Sequence, residues 1–127
     1  MPISEAYNCL QRGKRLLGRG LNEQAAAELE RAKELEPRRG SVLEELGRAY
    51  YNGGRTAEAR IQFEEALEID PTNPFARYAL GLCLWRMGEC REALGQLRLA
   101  VAMEPENPVY RRELDRRERA AGRAGQA

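Results

Sequence analysis

Apolar residues recur along this chain at helical rather than strand spacing, in stretches separated by glycine and proline. Within residues 22–35, for example, alanine and leucine recur three or four positions apart, which places them on one face of a helix. Residues that start and stop helices divide the chain into seven such segments. The predicted helices cover about 5–17, 23–36, 41–52, 57–69, 74–87, 89–104 and 108–121.

The ends of these segments carry local signals for caps and turns. Ser4, Asn22 and Thr56 are predicted to cap the first, second and fourth helices through their side-chain oxygens. The breaker-rich stretch 18–20 predicts a turn. Pro74 suits the first turn of the fifth helix, where its missing N–H has no intrahelical partner to lose.

The segments repeat with a period of 34 residues. Six columns of similar residues coincide over three successive units: Gly13, Gly47 and Gly81; Leu16, Tyr50 and Leu84; Ala25, Ala59 and Ala93; Leu29, Phe63 and Leu97; Ala32, Ala66 and Ala100; and Pro37, Pro71 and Pro105. A fixed period of this length indicates stacked helical hairpins. Glycine inside a helix costs about 1 kcal/mol relative to alanine, so the glycine column predicts a close approach between the two helices of each hairpin.

This pattern resembles the tetratricopeptide repeat family, with three units at residues 6–39, 40–73 and 74–107. The units cover 102 of the 127 residues, and the middle one is nearly a consensus copy. The resemblance implies an all-α fold, a right-handed α-solenoid of three antiparallel helix hairpins. Arg12 and Arg77 depart from it, since the family usually has large apolar residues at their positions; Arg12 is interpreted as an effect of the chain end.

The seventh helix, residues 108–121, resembles the capping helix that solenoids use to cover their last apolar face. Together with the three units it predicts one domain over residues 1–121, followed by a disordered tail at 122–127. Six arginines and three acidic residues give residues 108–127 a net charge of +3. A solvated cap surface is the simpler interpretation, and contact with an acidic partner or nucleic acid is the alternative.

In the family, the second, fifth, ninth and twelfth positions of each unit line a groove that binds partner proteins. These positions share one helix face, and here they and one neighbouring arginine comprise Tyr7, Leu10, Lys14, Leu17, Ser41, Glu44, Arg48, Tyr51, Phe75, Tyr78, Leu82, Trp85 and Arg86. The resemblance therefore implies that these side chains contact a peptide or helix of a partner. Lys14, Arg48 and Arg86 form either a basic rim for an acidic ligand or solvated surface charges.

The fifth helix carries a second apolar stripe beside its core stripe. Phe75, Tyr78, Leu82 and Trp85 form it, and a stripe of this size has to be buried against something. One interpretation is an exposed aromatic patch that anchors a partner, since tryptophan and tyrosine concentrate binding energy at interfaces. The other is packing on a neighbouring hairpin or on the capping helix.

One subclass of the family clamps the terminal carboxylate of a peptide with a lysine and an asparagine. In the first unit these two positions hold Leu10 and Lys14. The clamp is therefore not supported, and recognition of chaperone tails by that mechanism is not predicted.

Composition and charge argue against catalysis and against several binding functions. The chain contains no histidine, which removes the usual nucleophile–base pairs and the commonest metal ligand. The net charge is +1, with no clustered basic excess of the kind that nucleic acids or anionic membranes require. Three widely spaced cysteines, Cys9, Cys83 and Cys90, favour a reducing cytoplasm over a disulfide framework; Cys83 and Cys90 are predicted to be small buried residues.

The sequence thus predicts a non-enzymatic protein–protein interaction module without cofactor or metal. A peptide or helix of another protein is the expected partner, with no nucleic acid and no membrane. The alternative function is a homo-oligomeric scaffold that assembles through the repeat ends or the groove.

Overall fold

The computed structural model describes residues 4–125, and all regular secondary structure in this range is α-helical. Seven helices follow one another as sequential hairpins, which confirms the predicted all-α fold. Their bounds are α1 Glu5–Gly18, α2 Asn22–Leu35, α3 Gly40–Asn52, α4 Thr56–Ile69, α5 Pro74–Arg86, α6 Cys90–Met103 and α7 Pro108–Gly125.

The helices group into two compact units that divide between Pro71 and Thr72. In the first unit α1 packs against α2, α3 packs against α4, and α2 and α3 join the two hairpins. In the second unit α5 and α6 form a hairpin, and α7 packs against α6. A single domain over residues 1–121 remains a prediction.

Each hairpin turn is built around a glycine with positive φ. Gly20, Gly54 and Gly88 have φ angles of 74°, 82° and 85°, a backbone region that side chains with a Cβ rarely adopt. The next residue closes the turn by donating its N–H to the carbonyl five residues earlier, as Arg55 does to Tyr50 over 2.7 Å. These glycines are also 34 residues apart, so they form a seventh repeating column beside the six described above.

The predicted caps are partly correct. The Ser4 hydroxyl accepts a hydrogen bond from the backbone N–H of Tyr7 at 3.0 Å, as predicted. Asn22 and Thr56 are instead the first helical residues of α2 and α4, and the side chains before them accept no capping bond. The backbone bonds of the glycine turn already position these helix starts, so no side-chain cap is needed. Asn73 caps α5 through a bond from the N–H of Ala76, which the sequence analysis missed.

Helix α7 is longer than predicted and continues to Gly125. Ala121, where the prediction ends, packs against the apolar cluster of the second unit, so the helix is still held by tertiary contact at that point. The helix thus includes residues 122–125, which the sequence analysis assigned to a disordered tail. Residues 126–127 lie outside the described range.

Both arginines at normally apolar positions are accommodated by polar partners on the second helix of their own hairpin. The Arg12 Nε lies 3.1 Å from a Glu28 carboxylate oxygen, on the exposed side of the first hairpin. Arg77 donates from Nη1 to the Gln96 side-chain oxygen over 3.2 Å. Each arginine thus reaches a polar side chain at a position where the family usually has an apolar residue.

The close approach predicted for the glycine column is present in all three hairpins. A Cβ added at Gly47 would lie 2.7 Å from two ring carbons of Phe63, and one at Gly13 would lie 2.5 Å from Leu29 Cγ. At Gly81 the nearest atom, Leu97 Cγ, would be 2.9 Å away. Each glycine thus leaves room for the large apolar residue of the facing helix.

Gly47→Ala is expected to destabilise the protein, although alanine is the better helix former. Overpacking against Phe63 costs about 1–3 kcal/mol, and the gain in helix propensity returns only about 1 kcal/mol. Gly95→Ala is the matched control: Gly95 is also inside a helix, but nothing lies within 4 Å of an added Cβ. Urea denaturation should therefore show a lower free energy of unfolding for Gly47→Ala and one about 0.5–1 kcal/mol higher for Gly95→Ala. Equal effects of the two substitutions would contradict the close approach.

Candidate functional site

The predicted partner-binding residues of the first unit lie on α1 and α3. The Tyr7 side chain is the most open aromatic one, since 41% of the residue is exposed. Lys14 and Arg48 are exposed, whereas Leu17, Glu44 and Tyr51 are half-buried and Ser41 is exposed. The first unit therefore keeps an aromatic side chain and two cations accessible on its first-helix faces.

Leu10 is a correction to the predicted site. Only 4% of it is exposed, so it offers no surface to a ligand. It lies four residues after Ala6 and three before Gly13, both buried, and thus belongs to the stripe of α1 that faces the core. The family's spacing placed it in the groove, but in this chain its packing assigns it to the interior.

Two cations of this surface are exposed, Lys14 on α1 and Arg48 on α3. Arg48 Nε lies 3.9 Å from a Glu45 carboxylate oxygen, at the outer limit of an ion pair. Exposed pairs of this type contribute at most about 1 kcal/mol.

The aromatic residues of α5 lie against the capping helix of the second unit. The Tyr78 and Tyr110 rings stack with their centroids 4.8 Å apart. The Arg117 guanidinium carbon lies 5.1 Å from the centre of the Trp85 ring. Tyr78 and Trp85 also pack on the apolar cluster that contains Leu114, and both are half-buried.

The structure therefore favours packing on the capping helix, one of the two interpretations that the sequence left open for this stripe. A freely exposed patch around Trp85 is not what the second unit shows. Phe75 and Leu82 are likewise half-buried, and only Arg86 among the predicted residues of this unit is fully exposed.

Two potentially reactive side chains, Cys9 and Tyr50, are harder to ionise than usual. Burial raises the pKa of the Cys9 thiol, which opposes formation of a nucleophilic thiolate. Burial and the hydrogen bond to Glu30 raise the pKa of Tyr50 to about 12. Cys83 is buried as predicted, but Cys90, the first residue of α6, is exposed, and its predicted burial is wrong. Residues 4–125 contain no group of three metal-binding side chains, and none of their helices is long and apolar enough to cross a membrane.

Comparison with known proteins identifies the family. A profile described as tetratricopeptide repeat matches residues 10–74, which is half of the chain. The chain belongs to the tetratricopeptide repeat family. No curated protein matches the sequence.

Solved tetratricopeptide repeat domains share the fold at low sequence identity. The Sgt2 domain from Aspergillus fumigatus has a TM-score of 0.90 and 21% identity, with 99% of this chain and 85% of that chain covered. The second domain of human RPAP3, solved in complex with an HSP70 peptide, has a TM-score of 0.83 and 20% identity, covering 90% of this chain and 95% of that chain. The first domain of Spaghetti (RPAP3), bound to an HSP90 peptide, has a TM-score of 0.87 and 17% identity, covering 93% and 94%. These similarities show the fold alone.

Proposed function

We propose that this tetratricopeptide repeat protein is a non-enzymatic interaction module that binds a peptide or helix of a partner protein. In the first unit the binding surface is formed by α1 and α3, the first helices of its two hairpins, as the family's groove-lining positions imply. The observation that carries the proposal is Tyr7, a large aromatic side chain left 41% exposed at one of these positions. Lys14 and Arg48 on α1 and α3 add positive charge to the same unit.

The partner differs from the chaperone tails bound by the structural relatives. Leu10 replaces the clamp lysine and is buried, so a terminal carboxylate has no lysine to bind at that position. The exposed Tyr7 instead favours an apolar or aromatic anchor on the ligand, because tyrosine combines a large contact area with a hydroxyl that stays hydrated. An internal segment with one such anchor fits this surface better than a carboxyl-terminal tail.

Tyr7→Ala is expected to weaken binding of peptides selected against the wild-type protein from a random library by about tenfold. An aromatic anchor at an interface is worth more than about 1 kcal/mol when truncated. The backbone N–H of Tyr7, which Ser4 caps, is unaffected by the substitution. Fluorescence anisotropy of the labelled peptides measures the change.

Ile61→Ala is the matched control for this test. Ile61 is 51% exposed, more than Tyr7, but lies on α4, a second helix. Peptides that bind Tyr7→Ala as tightly as wild type would contradict the proposed surface. If no peptide is selected and light scattering shows concentration-dependent assembly, the function is instead a homo-oligomeric scaffold.

A further inference from the structure

The capping helix carries a stripe of arginines along one face. Arg112, Arg116, Arg119 and Arg123 are spaced by four, three and four residues, which aligns them on a helix. With the exposed Val109 and the carboxylate of Glu113, the first three line a concavity of about 330 Å3. At 1.5 Å rise per residue, the stripe extends about 16 Å along the helix.

The positive charge of this stripe is only partly neutralised by neighbouring carboxylates. The one carboxylate in the concavity, Glu113, is 6% exposed and is already held by Arg116 and by Arg117, the latter at 2.7 Å. Arg112 and Arg119 have no ion pair among the described residues. Like charges three or four residues apart destabilise a helix by about 0.2–0.5 kcal/mol per pair. An anionic ligand would reduce this repulsion between the arginines.

Charge is also unevenly distributed over the chain. Helix α7 has six arginines and three acidic residues, hence a net charge of +3, whereas the whole chain has +1. The remaining residues therefore carry −2. Arginines outside α7 are commonly paired with glutamates, for example Arg12 with Glu28 and Arg55 with Glu58.

Three residues of the stripe correspond, one repeat period later, to groove-lining positions of the third unit. Subtracting the period of 34 from Val109, Arg112, Arg116 and Arg119 gives Phe75, Tyr78, Leu82 and Trp85, which hold the groove-lining positions of the third unit. At three of these four corresponding positions the capping helix thus has an arginine where the third unit has an aromatic or apolar residue. Val109, Arg112, Arg116 and Arg119 are all exposed on this face of α7.

We propose that the arginine stripe of α7 docks an acidic segment of the partner protein, with Val109 contacting an apolar residue of that segment. This inference rests on the proposed function and specifies the chemistry of the ligand. Arginine binds carboxylates through paired N–H groups, which suits a segment carrying two or three glutamates or aspartates. The near-neutral charge of the whole chain favours a protein over a nucleic acid, which requires a more extensive basic surface.

The test compares two arginine pairs of equal charge in the full-length protein. Arg112→Gln/Arg119→Gln removes two cations that line the concavity and leaves Arg116 to hold Glu113. Arg91→Gln/Arg111→Gln removes two exposed cations that do not line the concavity. Glutamine is a good helix former, and circular dichroism checks that both variants fold. The probes are a fluorescein-labelled peptide of alternating glutamate and glycine around one leucine, and the same peptide with glutamine for glutamate.

The wild-type protein is expected to bind the glutamate peptide but not the glutamine peptide, in a salt-sensitive manner. The Arg112/Arg119 variant should bind about five- to tenfold more weakly, and the Arg91/Arg111 variant about as tightly as wild type. Equal losses in both variants, absence of binding to the glutamate peptide, or tighter binding of labelled single-stranded DNA would each overturn the proposal. Tyr7→Ala separates the two proposals: it should leave the glutamate peptide bound, whereas it weakens the peptides selected for the α1 and α3 surface.

Discussion

Phe63→Ala is expected to lower the free energy of unfolding by about 3–5 kcal/mol, the range for truncating a buried aromatic side chain. Phe63 is 2% exposed and fills the space that Gly47 leaves open on the facing helix. Alanine would create a cavity that the hairpin cannot close, since α3 and α4 already approach as closely as the glycine allows. Urea denaturation followed by circular dichroism measures the loss.

Phe63→Leu is the matched control because the other two hairpins use leucine in the same place. Leu29 faces Gly13 and Leu97 faces Gly81 at similar distances. The substitution should therefore cost less than about 1.5 kcal/mol. If Phe63→Leu were as damaging as Phe63→Ala, the three hairpins would not share one packing arrangement, and the repeat columns would not describe equivalent contacts.

Trp85→Ala is expected to destabilise the second unit by about 2–3 kcal/mol, somewhat less than for a fully buried aromatic residue because Trp85 is half-buried. The substitution removes the ring that Arg117 covers and part of the surface on which α7 packs. Trp85 is the single tryptophan of the chain, so in the wild-type protein its fluorescence reports this packing directly. Denaturation of the variant is followed by circular dichroism.

Trp85→Phe separates packing from partner binding. Phenylalanine preserves most of the apolar contact and should restore most of the lost stability, within about 1.5 kcal/mol of wild type. Loss of partner binding in Trp85→Ala with unchanged stability would contradict the structural role and support an exposed aromatic anchor. The two outcomes thus decide between the interpretations that the sequence left open for this residue.

Much of the helical architecture was predictable because its signals are local or periodic. The columns containing Gly47 and Phe63 predicted the hairpins and their close approach, and Ser4 predicted the first cap. The caps at Asn22 and Thr56 were wrong because turn bonds between backbone groups position those helix starts. Nothing in the residues themselves distinguishes a side chain that caps from one that is the first residue of the helix.

The candidate site was predictable as a set of positions but not as a set of accessible side chains. Leu10 and Tyr7 are both groove positions by spacing, yet one is buried and the other is open. The arginine stripe on α7 could have been found by extending the period of 34 beyond the third unit. How far carboxylates neutralise the charge of the stripe depends on the contacts of Glu113, which the spacing alone does not specify.

The sequence by itself determined the all-α class, the 34-residue period, the hairpin pairing and the family. These properties follow from helix propensity, turn residues and repetition, which act over a few residues or recur at a fixed interval. Only the tertiary structure decided that Tyr78 and Trp85 support the capping helix, that Leu10 belongs to the core and that Arg112 and Arg119 form no ion pair within residues 4–125. Exposure and charge pairing depend on residues distant in the chain that pack against the same helix face, so they appear only once the helices are assembled.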